Sequence, residues 1–296
     1  MTNTVVAVAG ATGRLGKLIV QALVARGAEV RALVRPGDGA DKLAGLEGAR
    51  IVEADLDDAA GLREALAGAD VVVSSLNGLR DIIVEAQTRL LEAAVSAGVP
   101  RFMPSDYAAD FTKLADAENR NFDLRREFRA RLLRAPIGAT SILNGGFMEL
   151  LLRGRLLDMK AQTVNYWGDP DQKLDYTTMA DAAAFTAAAA LDPQAPEIVR
   201  VAGQTVTARE LAAIASELTG KPFSLHSDGS IEDLAAAIKA EIAAHPEQQA
   251  ETFPRFQQLQ YTHNMQSGRA RLTPLDNGRY DVKPTTVREL LARAMR

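Results

Sequence analysis

The sequence predicts an α/β fold, a doubly wound parallel sheet followed by a smaller C-terminal α+β lobe. Three observations carry that expectation. Short apolar runs alternate with amphipathic helical stretches through the first half of the chain. Three glycines, Gly10, Gly13 and Gly16, mark the corner where the first run meets the first helix. Beyond about residue 148 the alternation gives way to mixed, helix-rich sequence.

The elements follow in order. TVVAVAG (4–10) reads as a buried strand, and a helix over roughly 14–26 sets Leu15, Leu18, Ile19, Ala22 and Leu23 on one face. EVRALVR (29–35), ARIVEADL (49–56), ADVVVSSL (69–76) and RFMPSD (101–106) read as further strands. The third is followed by a short helix ending at Gly68, and the fourth by a helix over roughly 81–97. Strands separated by helices in this rhythm imply right-handed crossovers and parallel pairing. After Ser105 comes a charged segment (110–121), then NFDLRREFRARLLRA, a helix whose Phe122, Leu124, Phe128, Leu132 and Leu133 are imperfectly spaced. ATSILNGGF (139–147) reads as a sixth strand closing on a glycine turn. Farther on, TVNYW and IVRVAG look like strands, and capping boxes open two helices, Thr207 with Glu210 and Ser230 with Asp233. Residues 1–150 are therefore expected to form the nucleotide-binding domain. Residues 151–296 are expected to form a smaller substrate or lid lobe, part of which is free to return to the sheet.

Composition excludes several classes. A net charge of −4 offers no field for nucleic acid or an anionic membrane. The absence of cysteine removes disulfides, thiolate metal sites and a cysteine nucleophile. MTNT runs straight into the first strand and the apolar runs are short, so neither leader nor membrane span is expected and the cytoplasm is the expected location. His226, His245 and His263 stand far apart, so no metal site is expected. No G-x-S-x-G elbow is present, and GDPDQK (168–173) reads as a turn rather than a pair of catalytic acids. Phe147, Met148, Tyr166 and Trp167 suit either an apolar cleft or the core between lobes.

The glycine corner is where chemistry enters. In a Rossmann domain the first glycine allows the tight turn, the second lets backbone amides approach a pyrophosphate, and the third lets helix and strand pack closely. Gly10, Thr12, Gly13, Arg14, Leu15 and Gly16 form this expected cradle, with the phosphates at the positive end of the helix. The nucleotide is chosen about 20 residues farther on, where an NAD site keeps an acid for the ribose 2′-hydroxyl. Here RALVR places Arg35 at that point, with no acid before Asp38. A guanidinium can hold a 2′-phosphate that a carboxylate would repel, so Arg14 and Arg35 point to NADP(H). Asp55 with Leu56, and Ser75 with Leu76, end the third and fourth strands and would line the adenine side of the crevice. Ser105 and Asn144, at the ends of the next two, complete the expected cofactor set.

Taken in order, GATGRLG, LVR, VEADLDDAAGLREALAGADVVVS, RFMPSDY and TSILNGGF resemble the NmrA-like and isoflavone-reductase-like family of atypical short-chain dehydrogenases. The likeness covers about the first 150 residues and returns in LDYTTMADAAAFTAAAALDP, where Asp181 stands in the segment that opens a helix; the last 70 or so are not distinctive. The resemblance implies an NADPH-dependent reductase of a small aromatic or conjugated carbonyl-type substrate. It equally implies the alternative found in the same family, a catalytically silent NADP(H)-binding sensor acting through a protein partner. The family's reductases carry a lysine fifteen positions before a threonine that matches Thr140, which places Arg125 at the lysine position. Tyr107 and Ala108 stand where the family has phenylalanine and glycine. Arginine holds its proton at any ordinary pH, so Arg125 could stabilise an oxyanion but not exchange protons. Tyr107 could supply the proton if a nearby guanidinium favoured its phenolate. Alternatively, Arg125 is one of six arginines on a solvated helix. The YxxxK pair of other short-chain dehydrogenases, and with it epimerase chemistry, is absent from the sequence.

Overall fold

Alternate residues of the first strand serve two different cores in the computed structural model, which describes residues 4–38 and 40–295; the leader expectation for residues 1–3 lies outside them. The first half of the chain runs β1 (Val5–Ala9), α1 (Arg14–Ala25), β2 (Glu29–Val34), α2 (Ala40–Leu43), β3 (Arg50–Glu53), α3 (Ala59–Leu66) and β4 (Val71–Ser74). A π-helical stretch (Asp81–Ala86) leads into α4 (Gln87–Ser96), then come β5 (Arg101–Met103), α5 (Arg120–Leu132), β6 (Gly138–Ala139) and β7 (Ser141–Leu143). Val6 and Val8 pack with Ile19, Val20 and Leu23 of α1, while Ala7 and Ala9 pack with Leu62, Leu66, Leu90 and Phe128 of α3, α4 and α5. Successive strand side chains point to opposite faces, so one apolar run feeds both layers.

The sheet order is β3-β2-β1-β4-β5-β6 with every pair parallel. Strand order reverses between β1 and β4, and ligands of such sheets bind outside the carboxyl ends of the strands at that switch point. The helix α5 is pinned across β5 by Phe128 against Phe102, ring centroids 5.9 Å apart and tilted 45°. Asn119 caps it by accepting from the Phe122 amide at 3.2 Å.

The second half comprises β8 (Gly146–Phe147), β9 (Leu157–Asp158), β10 (Thr163–Trp167), β11 (Leu174–Thr177), α6 (Met179–Leu191), β12 (Ile198–Arg200) and β13 (Gln204–Val206). It continues with α7 (Ala208–Thr219), β14 (Ser224–Gly229), α8 (Ile231–Ala244), α9 (Arg255–Gln266) and α10 (Val287–Ala294). Both expected capping boxes form, and a third, Thr286 with Glu289, opens α10. The run 139–147, read as one strand, is divided among three sheets: β6 pairs β5, β7 pairs β12, and β8 pairs β11. Gly145 makes the last of these turns at φ +69°, where a Cβ would lie 2.2 Å from the Asp175 carbonyl oxygen. Residues of the second half also enter the first core, since Ala183, Phe185 and Ala187 of α6 and Val199 of β12 pack with α1 and β1. A separate core gathers Met148, Val164, Leu174, Val206, Leu211 and Leu291. Among the described residues no helix is long and apolar enough to cross a membrane.

Candidate functional site: a dinucleotide crevice at the switch point

The cradle is built from close approach. Gly10 turns at φ +77°, and a Cβ there would lie 2.9 Å from the Ser75 backbone. At Gly16 a Cβ would lie 2.1 Å from the Gly10 carbonyl oxygen and 2.8 Å from Ser75 Oγ, whereas at Gly13 the nearest atom would be 3.2 Å away. The outer glycines are therefore required by packing and Gly13 by the open rim, where it is exposed. Ser75 locks the corner from β4, its hydroxyl donating to the Ala9 carbonyl at 2.9 Å and to that of Gly10 at 3.2 Å. No side chain caps α1 and no acid stands in its first turn. The amides of Arg14, Leu15 and Gly16 are thus left for an anion.

Arg14 and Arg35 are both exposed, and neither makes an ion pair among the described residues. Asp38, the first acid after β2, is answered by Lys42 at 2.7 Å, which lowers its pKa. The carboxyl end of β2 presents an exposed Arg35 that is paired with no acid among the described residues, and the residues fit a dinucleotide bearing a 2′-phosphate. Asp55 is exposed and accepts from the Asp57 amide at 2.9 Å. Leu56 leans on the second core, and its carbonyl accepts from Arg89 Nε at 2.9 Å.

Farther along the edge the groups are buried. Ser105 is 4% exposed; its amide donates to Gln87 Oε1 at 2.9 Å and its hydroxyl to the Leu76 carbonyl at 2.6 Å. These bonds tie the ends of β4 and β5 together through the first residue after the π-helical turn. Asn144 is fully buried, and neither polar atom of its amide has a partner among the described residues. Thr140 Oγ1 and Ser74 Oγ share that condition. Buried polar atoms without partners are rare because their desolvation goes uncompensated.

Arg125 is half-buried. Its Nη1 donates to the Asn121 carbonyl at 3.0 Å, and its Nε is buried without a partner. It is not simply one of a solvated row: on α5, Arg126, Arg129 and Arg131 are engaged with Glu85, Asp116, Asp123, Glu127 and Glu197, Arg120 donates to the Gln249, Glu251 and Thr252 carbonyls, and Arg125 is in no ion pair among the described residues. Tyr107 corrects a sequence expectation. Its ring packs in the core of β1, α1 and α6, its hydroxyl is buried without a partner, and its side-chain neighbour is Thr186 rather than Arg125. Burial and the charge of Asp106 push its pKa upward, so the phenol keeps its proton instead of favouring phenolate.

The residue that sequence reasoning passed over is Asp106. It is 1% exposed, both carboxylate oxygens lack partners among the described residues, and burial pushes its pKa up to about 6. Its position at the carboxyl end of the apolar run RFMP was the available signal. Of the apolar cleft-or-core candidates, Met148 and Tyr166 pack in the separate core and Phe147 leans on the first. GDPDQK is a turn, with the Asp171 amide bonded to Asp169 Oδ1 at 2.8 Å. The histidines stay apart, His226 beside Asp228, His245 beside Glu247, and His263 half-buried.

The parallel sheet, the switch-point crevice and the glycine cradle define a dinucleotide-binding protein of the oxidoreductase type. The NmrA-like family model matches residues 2–290, and the chain belongs to the NmrA-like family. It is 33% identical to pinoresinol reductase 1 of Arabidopsis thaliana over 244 residues, 74% of this chain and 75% of that protein. A solved structure of AtPrR2 with NADP+ and (+)pinoresinol superimposes with a TM-score of 0.79 at 28% identity, covering 99% of each chain. An isoflavone reductase structure shares the fold, with a TM-score of 0.82 at 24% identity over 99% of this chain and all of the other.

Proposed function

We propose that this protein is an NADPH-dependent reductase of a small aromatic or conjugated carbonyl-type substrate. The observation that carries the reading is the exposed Arg35 guanidinium at the carboxyl end of β2 beside the glycine cradle, in a chain one-third identical to a pinoresinol reductase over 244 residues. The cofactor, when bound, supplies a hydride to the substrate. Gly10, Thr12, Gly13, Arg14, Leu15 and Gly16 hold its phosphates, and Arg35 holds the 2′-phosphate by charge-assisted bonds. Asp55, Leu56, Ser75 and Leu76 line its adenine side, and Ser105 and Asn144 its nicotinamide side. Arg125, a permanently cationic donor, stabilises the oxygen that gains charge as hydride arrives. Tyr107, packed in the core beside Thr186 with its proton retained, takes no part in proton transfer. The lobe from residue 151 onward bounds the substrate, and the cytoplasm is the setting. With a net charge of −4 the protein has small-molecule rather than nucleic-acid partners.

The second reading is a silent NADP(H) sensor that acts through a protein partner. The observation in its favour is Arg125 itself, which cannot pass a proton as a lysine can. Titration with NADPH and NADH, followed by an assay for NADPH oxidation with pinoresinol and simpler aromatic enones, separates the two. Selective NADPH binding with turnover supports the reductase. Selective binding without turnover on any acceptor moves the sensor ahead. Equal affinity for the two nucleotides removes the NADPH reading.

A further inference from the structure

The inner face of α9 is polar. Four of its five buried residues are the amides Gln257, Gln260, Asn264 and Gln266, where an amphipathic helix would place apolar side chains. Three of them meet the start of α5. Gln257 Nε2 donates to Asn119 Oδ1 and Asn119 Nδ2 to Asn264 Oδ1, each at 2.8 Å, while Gln260 Oε1 accepts from the Arg120 amide at 3.2 Å. Arg120 also grips the connection between α8 and α9. Its guanidinium donates to the carbonyls of Gln249, Glu251 and Thr252 at 3.0, 2.8 and 3.1 Å and lies 5.0 Å from the Phe256 ring centroid. Asn121 Nδ2 donates to the Thr252 carbonyl at 3.0 Å and to the Tyr261 hydroxyl at 3.1 Å. Apolar support comes from Tyr261, edge-on to Phe122 with ring centroids 5.2 Å apart. In α8 only Leu234 is buried.

Two of these amide atoms, Gln257 Oε1 and Asn264 Nδ2, are buried without partners among the described residues. Closing the joint therefore leaves polarity that water would satisfy on opening. A joint of hydrogen bonds that water can replace opens at less cost than an apolar one. Glycines stand at both ends of the segment, Gly229 at φ +134° and Gly268 at φ +73°. Topology sets where the joint lies. The helix α5 follows β5, so it starts beyond the carboxyl end of that strand, the side on which such a sheet binds its ligands. The carbonyl of Asn121 accepts from Arg125 Nη1 at 3.0 Å, so the joint closes on the turn of α5 that steadies Arg125.

We propose that residues 230–267 form a lid over the substrate side of the crevice, hinged at Gly229 and Gly268 and latched by Asn119, Arg120 and Asn121. Open, the lid admits the aromatic substrate; closed, it holds the substrate against the turn of α5 that carries Asn121 and Arg125. Opening exchanges the latch's hydrogen bonds for bonds to water and breaks no covalent bond. What the lid encloses rests on the reductase reading, whereas the opening itself does not.

Hydrogen exchange of the full chain tests the lid, first without ligands and then with NADPH and an accepted aromatic substrate. Backbone amides of 246–266 are expected to exchange through local opening, faster than those of β1 and α1, and to slow when substrate joins NADPH. Arg120→Ala should speed that exchange on the order of tenfold or more and raise KM for the substrate in step. Exchange in β1 and α1, and the Kd for NADPH, should not move. Arg120→Lys keeps the charge without the forked donors and should fall between parent and Arg120→Ala. Exchange of 246–266 in the parent as slow as that of β1 and α1 would make α9 a fixed part of the core and overturn the proposal. So would an Arg120→Ala protein that exchanges faster in every element alike, or one whose KM is unchanged. Should Arg120→Ala fail to fold, the parent pattern and Arg120→Lys decide. Should no aromatic acceptor be turned over, the reductase reading falls alone, and exchange without ligands still decides whether the lid opens.

Discussion

The two halves of the crevice are built in opposite ways. At the β1–β4 corner the groups offered are backbone amides and exposed arginines, and Ser75 Oγ is satisfied by the Ala9 and Gly10 carbonyls while Ser74 Oγ beside it has no partner among the described residues. At the β5–β7 edge the groups are side chains, and Asp106, Thr140 and Asn144 are buried with polar atoms that meet no partner. The first half is a tightly packed receptacle in which Gly10 and Gly16 leave no room for a Cβ. The second stores uncompensated polarity, which makes it responsive to protons and to whatever it binds.

Gly16→Ala strikes the tightly packed half hardest. With a methyl 2.1 Å from the Gly10 carbonyl oxygen, helix and strand must separate. Overpacking of this kind costs about 1–3 kcal/mol or more. NADPH affinity should fall at least on the order of tenfold alongside. Gly13→Ala, at 3.2 Å, should cost much less stability. Urea denaturation with NADPH titration checks both, and equal losses for the two variants would break the account of the cradle.

Asp106→Asn probes the other half with the cofactor absent. Because its folded pKa lies above the ordinary 3.8, Asp106 adds stability that is full below that value and lost as pH rises through about 6. The variant lacks that dependence, so its stability relative to the parent should improve with pH, by about 2–3 kcal/mol between acid and alkaline conditions. Denaturation midpoints across the range are the measurement. A variant that loses ground as pH rises would mean that the carboxylate is better compensated than its burial implies.

Arg35→Ala returns to the first half. Loss of a charge-assisted contact on the 2′-phosphate is worth about 1.5–3 kcal/mol, so preference for NADPH over NADH should fall roughly tenfold or more with NADH affinity little changed. Equal weakening of both nucleotides would show that Arg35 serves the common phosphates instead. The smallest effect is expected from Ser75→Ala, which removes the two bonds to backbone carbonyls at about 1 kcal/mol. A larger loss would make the corner less dependent on its glycines than their close contacts imply.

The parallel sheet and the glycine corner were legible because each rests on local rules. Apolar runs with helical spacing between them predict parallel strands, and Gly10, Gly13 and Gly16 carry their meaning in their spacing alone. Strand ends were less legible: 49–56 shrinks to Arg50–Glu53, and 139–147 splits three ways. Periodicity records burial, and a chain that passes from one buried sheet to another stays apolar throughout.

By itself, then, the sequence determined a dinucleotide-binding α/β chain with arginines where a 2′-phosphate would lie. Only the tertiary structure decided that Tyr107 packs in the core with α6 while Asp106 is buried with neither oxygen partnered among the described residues, and that Arg126, Arg129 and Arg131 are engaged with acids while Arg125 is not. The physical reason is that a backbone cradle depends on neighbours in sequence. The charge state of a buried carboxylate depends instead on desolvation and on partners from distant elements, which exist only once the helices have docked.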